Sequence, residues 1–132
     1  FGYSRSMRFD GVINRFLFDA NFKGQLCIHG NGSQRRPFIS INQLVAVLVA
    51  AVTGALPAGY YDAVDSSLSI NDIIEVLLQI YPELELIYTN QDMPIQHLVV
   101  ESSEGLSAQI TKSEDELASY LRTFASHFTF RK

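Results

Sequence analysis

The sequence predicts an α/β fold on two observations. Stretches with apolar residues at helical spacing alternate along the chain with short runs rich in aromatic and β-branched residues. Capping residues, glycines and prolines separate these stretches. The chain has 132 residues, of which 47% are hydrophobic and 18% charged, which is enough for an ordinary globular core. We therefore expect residues 1–132 to form one domain.

The first half of the chain predicts a helix, two strands and a second helix. Residues 10–23 have helical periodicity, with Asp10 as a candidate cap and Gly24 as the end. Short strands are expected at residues 26–28 and 38–41, joined by a glycine-containing loop. The helix that follows is capped by Asn42 and extends through Thr53. It has almost no polar face, so we expect it to be covered on most sides.

The second half continues the alternation. A strand is expected at residues 60–64, and Ser69 with Asp72 resembles a capping box that opens a helix ending before Pro82. A further strand is expected at residues 85–89. The last helix begins at Ser113 with Glu116. Residues 91–112 have mixed polarity and predict no element.

Composition excludes several classes of function. The net charge is −4, and the ten Lys and Arg residues are scattered, so we expect no nucleic-acid partner. The longest apolar run, residues 44–52, is about half of the ~20 residues that a membrane-spanning helix needs, so we expect no membrane association. Cys27 is the single cysteine and cannot form an internal disulfide, which favours a cytoplasmic location.

Few residues suggest catalysis or metal binding. His29, His97 and His127 are far apart, with no second ligand at metal-site spacing, so no metal site is expected. Cys27 lies in an apolar run without a histidine placed to activate it, which favours a packed thiol. Arg35 stands where a dinucleotide fingerprint requires its third glycine. We therefore assign no catalytic or cofactor-binding residue.

The loop at Gly30 and Gly32 leads to the adjacent Arg35 and Arg36. If Pro37 begins a strand, the two arginine side chains point in opposite directions, and only one faces a given pocket. A guanidinium suits a diphosphate because it offers paired donors and stays charged. The alternatives are that the arginines are simply solvated and that the glycines only form a tight turn.

Two regions carry a resemblance to a known family. The first comprises Gly2-Tyr3-Ser4, Met7-Arg8-Phe9-Asp10, Asn14-Arg15-Phe16 and the segment from Gly30-Asn31-Gly32 to Arg36-Pro37-Phe38-Ile39. The second comprises Tyr60-Tyr61-Asp62-Ala63-Val64-Asp65 and Leu68-Ser69-Ile70. In order and spacing they resemble extended short-chain dehydrogenases, the NAD-dependent epimerases and dehydratases of nucleotide sugars.

The resemblance implies a fold and a set of binding residues. The chain is expected to be a partial domain, the carboxy-terminal substrate-binding part, with elements that would complete a Rossmann-type sheet and with the amino-terminal Rossmann core absent. Arg36 would contact the substrate diphosphate. The strand residues Cys27, Ile28 and His29 would lie near the nucleotide base. Asn14 and Arg15 would border the substrate.

The resemblance also implies what the chain lacks. The family's glycine fingerprint and its catalytic Tyr-x-x-x-Lys pair are not in this sequence, so NAD is expected only in a full-length parent. The expected partners are a nucleotide sugar and the missing Rossmann half, and a homodimer is left open.

The sequence departs from the family at two places. Residues 90–93 lack a second arginine, and residues 40–43 lack the family's His or Tyr and its Asp. Alternatives are therefore a stand-alone, non-catalytic nucleotide-sugar binding module and a structural or interaction domain that lost ligand binding.

Overall fold

The computed structural model describes residues 1–90, 94, 96–110 and 114–128. This part of the chain contains four α-helices and four strands. In order they are α1 (Val12–Lys23), β1 (Gln25–His29), β2 (Arg35–Phe38), α2 (Ile41–Val52), β3 (Ser66–Ser69), α3 (Ile70–Ile80), β4 (Glu85–Thr89) and α4 (Glu114–Ser126). A short 3₁₀ helix, Glu104–Leu106, precedes α4. The predicted α/β class is confirmed.

The strands form two small sheets. β1 and β4 are parallel, with Cys27 opposite Ile87 and His29 opposite Thr89. β2 and β3 are antiparallel, in a register that places Arg36 opposite Leu68. A glycine-containing loop joins β1 to β2, as predicted. The two strands do not pair with each other, because β1 pairs with β4 and β2 pairs with β3.

The main core lies between α1, α3, α4 and the inner face of β1. Its fully buried side chains include Leu17, Leu26, Ile73, Leu77 and Leu121. The apolar residues at helical spacing in α1, α3 and α4 therefore supply most of this core, as their periodicity predicts. A smaller cluster joins Val47 of α2 to Leu106 and Ile110.

Two predicted helix caps are wrong. Gly11, rather than Asp10, is the cap of α1, because the Asp10 carboxylate pairs with Arg8 instead of the helix amides. Ser40, rather than Asn42, caps α2, and its hydroxyl accepts from the Gln43 amide. Gly24 ends α1 as predicted, in the left-handed conformation with φ 68°.

Two strand predictions also require correction. The strand expected at residues 38–41 lies earlier, at β2, because Ile39 and Ser40 lead directly into α2. No strand forms at residues 60–64, and Tyr60 is fully exposed. Pairing with β2 begins only at Asp65, whose amide donates to the Phe38 carbonyl, so the strand lies at β3 instead.

Helix α2 leaves most of its apolar surface uncovered in the described structure. Only Val47 and Ala50 are buried. Four other apolar residues at helical spacing are exposed, Val45, Leu48, Val49 and Val52, and we call them the α2 apolar face. The expectation that this helix is covered on most sides therefore does not hold within the described residues.

The remaining predictions agree with the structure where it can be described. The capping box of α3 is present in both directions, and β4 begins and ends as predicted. α4 is present, whereas its predicted cap, Ser113, lies outside the described residues. Among the helices that are described, none combines the length and apolar character needed to cross a membrane.

Candidate functional site

The glycine loop, residues 30–34, joins β1 to β2 in a conformation that depends on its own polar groups. Gly30 and Gly32 adopt positive φ values of 81° and 79°, where glycine is favoured. The Asn31 side chain accepts from the Ser33 amide at 3.0 Å, and Gln34 donates to the His29 carbonyl at 3.0 Å. The loop is thus a defined turn that ends at Arg35.

The first turn of α3 holds this loop from the other side. The Ile70 amide donates to the Gln34 carbonyl at 3.3 Å, and the Asn71 amide donates to the Gly32 carbonyl at 3.0 Å. The first amides of a helix have no partner within the helix, so these loop carbonyls satisfy them. The Asn71 side-chain amide also donates to the Asn31 carbonyl at 3.4 Å.

The two arginines after the loop have different partners. The Arg35 guanidinium lies 3.5 Å from the Asp72 carboxylate and donates to the Ser67 carbonyl. Arg35 also lines a cavity of about 750 Å³ between β3, α3 and residues 99–102. Its charge is therefore compensated by α3.

Arg36 has neutral partners. Its guanidinium donates to the Arg35 carbonyl at 2.9 Å and to the Gln96 carbonyl. Within the part of the chain that the structure describes, no carboxylate lies within ion-pair distance of Arg36. The two neighbouring arginines thus differ in charge compensation.

Residues 96–100 run beside the β2–β3 sheet. The Leu98 amide donates to the Arg35 carbonyl at 3.0 Å, and the Ser67 hydroxyl and the Val100 main chain bond to each other. This segment carries the carbonyl that Arg36 contacts, so it contributes to the site from a distant part of the sequence.

The residues expected near a nucleotide base lie on β1. Cys27 and His29 are on its exposed face, so the packed thiol expected for Cys27 is wrong: the strand's alternation turns it away from the core. The Ile28 side chain is buried in the core and leaves only its main chain available. Thr89 of β4 links the exposed pair. Its hydroxyl lies 3.0 Å from His29 Nδ1 and 3.9 Å from Cys27 Sγ.

Asn14 and Arg15 lie on α1. Asn14 is buried, and its amide accepts from the Gly2 amide at 3.0 Å and donates to the Arg8 carbonyl at 2.9 Å. It therefore anchors the first residues of the chain. Arg15 is exposed and forms an ion pair with Asp19 at 3.6 Å.

The sequence does not indicate that Asn71 contacts the glycine loop, or that Asp72 and Gln96 contact the two arginines. Asp72 was recognised only as a capping residue, and its contact with Arg35 spans 37 positions of sequence. No local signal identifies such a contact. Among the described residues, no three His, Cys, Asp or Glu side chains are grouped closely enough to hold a metal ion.

Comparisons with known proteins find structural matches only. No family model and no curated protein matches the chain. An NAD-dependent NDP-hexosamine 5,6-dehydratase, TunA, involved in tunicamycin biosynthesis, matches with a TM-score of 0.76 and 25% identity. The match covers 98% of this chain and 43% of TunA.

Two further solved structures share the fold at lower identity. A UDP-N-acetylglucosamine 4-epimerase from Methanobrevibacter ruminantium M1, solved with UDP-N-acetylmuramic acid, matches 97% of this chain at 22% identity and a TM-score of 0.69. MoeE5, solved with UDP-glucose and NAD, matches 91% at 19% identity and a TM-score of 0.63. The chain spans 43% of the length of each of these proteins.

Proposed function

Because the chain has the fold of part of the extended short-chain dehydrogenases, as the sequence resemblance predicted, we propose that it is the nucleotide-sugar binding portion of an NAD-dependent epimerase or dehydratase. The observation that carries the proposal is Arg36, a cation at the end of a well-fixed glycine loop with only neutral carbonyl partners among the described residues. The catalytic residues would lie in a second half that binds NAD, so this chain would bind the substrate without converting it.

The partners of Arg36 favour an anionic ligand. A neutral carbonyl oxygen holds a guanidinium less strongly than a phosphate does, because a phosphate carries the opposite charge and can accept two of the guanidinium N–H groups. A diphosphate could therefore replace the Gln96 carbonyl at Arg36 with a gain in binding energy. Arg35 is less suited to this role because Asp72 already compensates its charge.

We propose a different role for each of the other predicted residues. Cys27 and His29 offer an exposed strand face for a nucleotide base, and Ile28 offers only main-chain groups. Arg15 is exposed on α1 and would border the substrate. Asn14 would act indirectly, because both ends of its amide already hold the first residues of the chain.

The α2 apolar face supports the proposed partner. Four exposed apolar side chains on one face of a helix are a surface that packing normally covers. The structural matches extend well beyond the length of this chain, so a cofactor-binding half is the proposed cover. NAD would be held there. A free, exposed Cys27 accords with the reducing cytoplasm that we propose as the location.

Calorimetric titration of the 132-residue chain with UDP-, GDP-, dTDP- and CDP-sugars tests the proposal. We expect binding of at least one of them and a loss of affinity of roughly 10- to 100-fold in Arg36→Ala, the range for a lost charge-assisted bond. Arg35→Ala is the matched control and should bind within a few-fold of the unmodified chain. Equal affinity of Arg36→Ala and the unmodified chain would remove Arg36 from the site.

Cys27 provides a second, independent measurement. It is the single thiol of the chain and is exposed on β1, so its rate of reaction with a thiol reagent can be followed directly. A bound base should slow that reaction at saturating nucleotide sugar. An unchanged rate would place the base elsewhere even if the diphosphate binds at Arg36.

A further inference from the structure

We infer that Asn71 is a positioning residue for Arg36, an inference that rests on the proposed function. Asn71 is the second residue of α3 and bonds to the glycine loop through both its main chain and its side chain. Its side-chain amide donates to the Asn31 carbonyl, and its main-chain amide donates to the Gly32 carbonyl. Asn71 thereby fixes the part of the loop that precedes the arginine pair.

The close approach of Asn71 to Gly32 shows how tightly the two segments fit. A Cβ atom placed on Gly32 would lie 2.0 Å from Asn71 Oδ1 and 2.9 Å from its Cγ. Gly32 also has a positive φ of 79°. The absence of a side chain at this position therefore serves two needs, the left-handed backbone and the space that Asn71 occupies.

Arg36 lies four residues beyond Gly32, and the chain between them is held at both ends. On one side the loop rests on α3, and on the other Arg36 pairs with Leu68 in the β2–β3 sheet. A diphosphate site needs its guanidinium at a fixed place, since a loosely held side chain loses part of its binding energy in becoming ordered. Asn71 contributes to that order without contacting the ligand.

The side-chain contribution can be separated from the helix cap. In Asn71→Ala the main-chain bond to the Gly32 carbonyl and the Ser69–Asp72 capping box remain, and only the side-chain bond to Asn31 is lost. We expect the variant to fold and to bind the preferred nucleotide sugar roughly 3- to 10-fold more weakly, the effect of one neutral hydrogen bond. Asn71→Ser, which lacks the amide donor but keeps a polar residue in the first helical turn, should lose the same amount.

A double-mutant cycle distinguishes positioning from a general structural role. If Asn71 acts through Arg36, Asn71→Ala should weaken binding in the unmodified chain and have little effect when Arg36→Ala is already present. Glu75→Ala is the control, since Glu75 is exposed one turn further along α3. Unfolding midpoints in urea, measured for every variant, show whether a loss of affinity reflects a loss of fold.

The outcomes separate this inference from the proposed function. If Arg36→Ala binds as tightly as the unmodified chain, the diphosphate site itself is wrong. If Arg36→Ala weakens binding while both Asn71 variants bind normally, only the role of Asn71 is overturned. Losses that add fully in the double variant would also overturn it, because they would show that Asn71 acts independently of Arg36.

Discussion

Two neighbouring arginines, Arg35 and Arg36, show how the fold gives identical side chains different partners. Arg35 and Arg36 are identical in chemistry, yet one has a carboxylate partner and the other has carbonyl partners. The alternation of side chains along a strand predicts that they diverge. Which of the two meets Asp72 depends on the antiparallel register of β2 and β3, which adjacent residues do not encode.

Tyr120 gives a prediction about pH at the scale of one residue. Its ring packs edge-on against Phe1 with centroids 5.3 Å apart. Burial raises the pKa of Tyr120 above its ordinary value of 10.0, and a backbone hydrogen bond at Tyr3 acts in the opposite direction. Between pH 10.0 and the higher folded pKa, the unfolded chain loses this proton first. We therefore expect the free energy of unfolding to fall as pH rises from 10.0 towards the folded pKa of Tyr120.

Urea unfolding followed by circular dichroism from pH 9 to pH 11, about one unit either side of the ordinary tyrosine pKa, checks this expectation. Tyr120→Phe removes the ionisable group and should show a shallower decline than the unmodified chain. Tyr60→Phe is the control because Tyr60 is fully exposed, and its decline should match that of the unmodified chain. Equal slopes for the Tyr120 and Tyr60 variants would mean that other groups cause the alkaline loss.

At the scale of elements, the first turn of α3 combines a local and a distant role. Ser69 and Asp72 form a capping box, with the Asp72 amide donating to Ser69 Oγ at 3.0 Å and the Ser69 amide donating to Asp72 at 2.8 Å. Ser69 is buried, so water cannot readily replace its hydroxyl. We expect Ser69→Ala to lower the free energy of unfolding by about 1 kcal/mol.

Denaturant unfolding of matched serine variants measures that effect. Ser119→Ala alters an exposed serine within α4 and should change the free energy of unfolding by less than about 0.5 kcal/mol. A cost for Ser69→Ala no larger than that of Ser119→Ala would show that the Ser69 cap adds little to stability.

The elements also show what the sequence could predict. The helix of α3, its cap and β4 follow from local periodicity and capping chemistry, and the structure confirms them. The strand expected at residues 60–64 is wrong because β propensity does not specify a partner, and β2 pairs with residues 66–69 instead. In the candidate site, the glycine loop was visible in the sequence. The contacts from Asn71 and Gln96 were not, since they depend on tertiary packing.

At the scale of the whole molecule, the described residues form a main core around β1 and a smaller cluster at Val47, and they leave the α2 apolar face exposed. Helices α1, α3 and α4 bury their apolar stripes around β1, whereas α2 buries only Val47 and Ala50. A sequence pattern shows that a helix face is apolar but not what covers it. The cover that we propose for α2 is a cofactor-binding half.

The α2 apolar face therefore yields a prediction about association. Leu48 is 54% exposed and Val52 is 88% exposed, so replacing both with lysine should leave the free energy of unfolding within about 1 kcal/mol of the unmodified chain. Val47→Lys is the control on the same helix. It places a charge at a buried position and should destabilise the fold by several kcal/mol, roughly the cost of an unpaired buried charge.

Sedimentation velocity measures self-association of the chain, and binding of an apolar fluorescent dye measures its exposed apolar surface. We expect the unmodified chain to bind the dye and to self-associate weakly at high concentration, because an exposed apolar stripe associates with whatever apolar surface is available. Leu48→Lys with Val52→Lys should reduce both signals and leave the nucleotide-sugar binding that we propose for Arg36 unchanged, since both side chains are exposed. If the double variant instead lowers the free energy of unfolding by several kcal/mol, roughly the cost of burying unpaired charges, the two side chains already belong to a packed core. The proposal that a cofactor-binding half covers α2 would then fail.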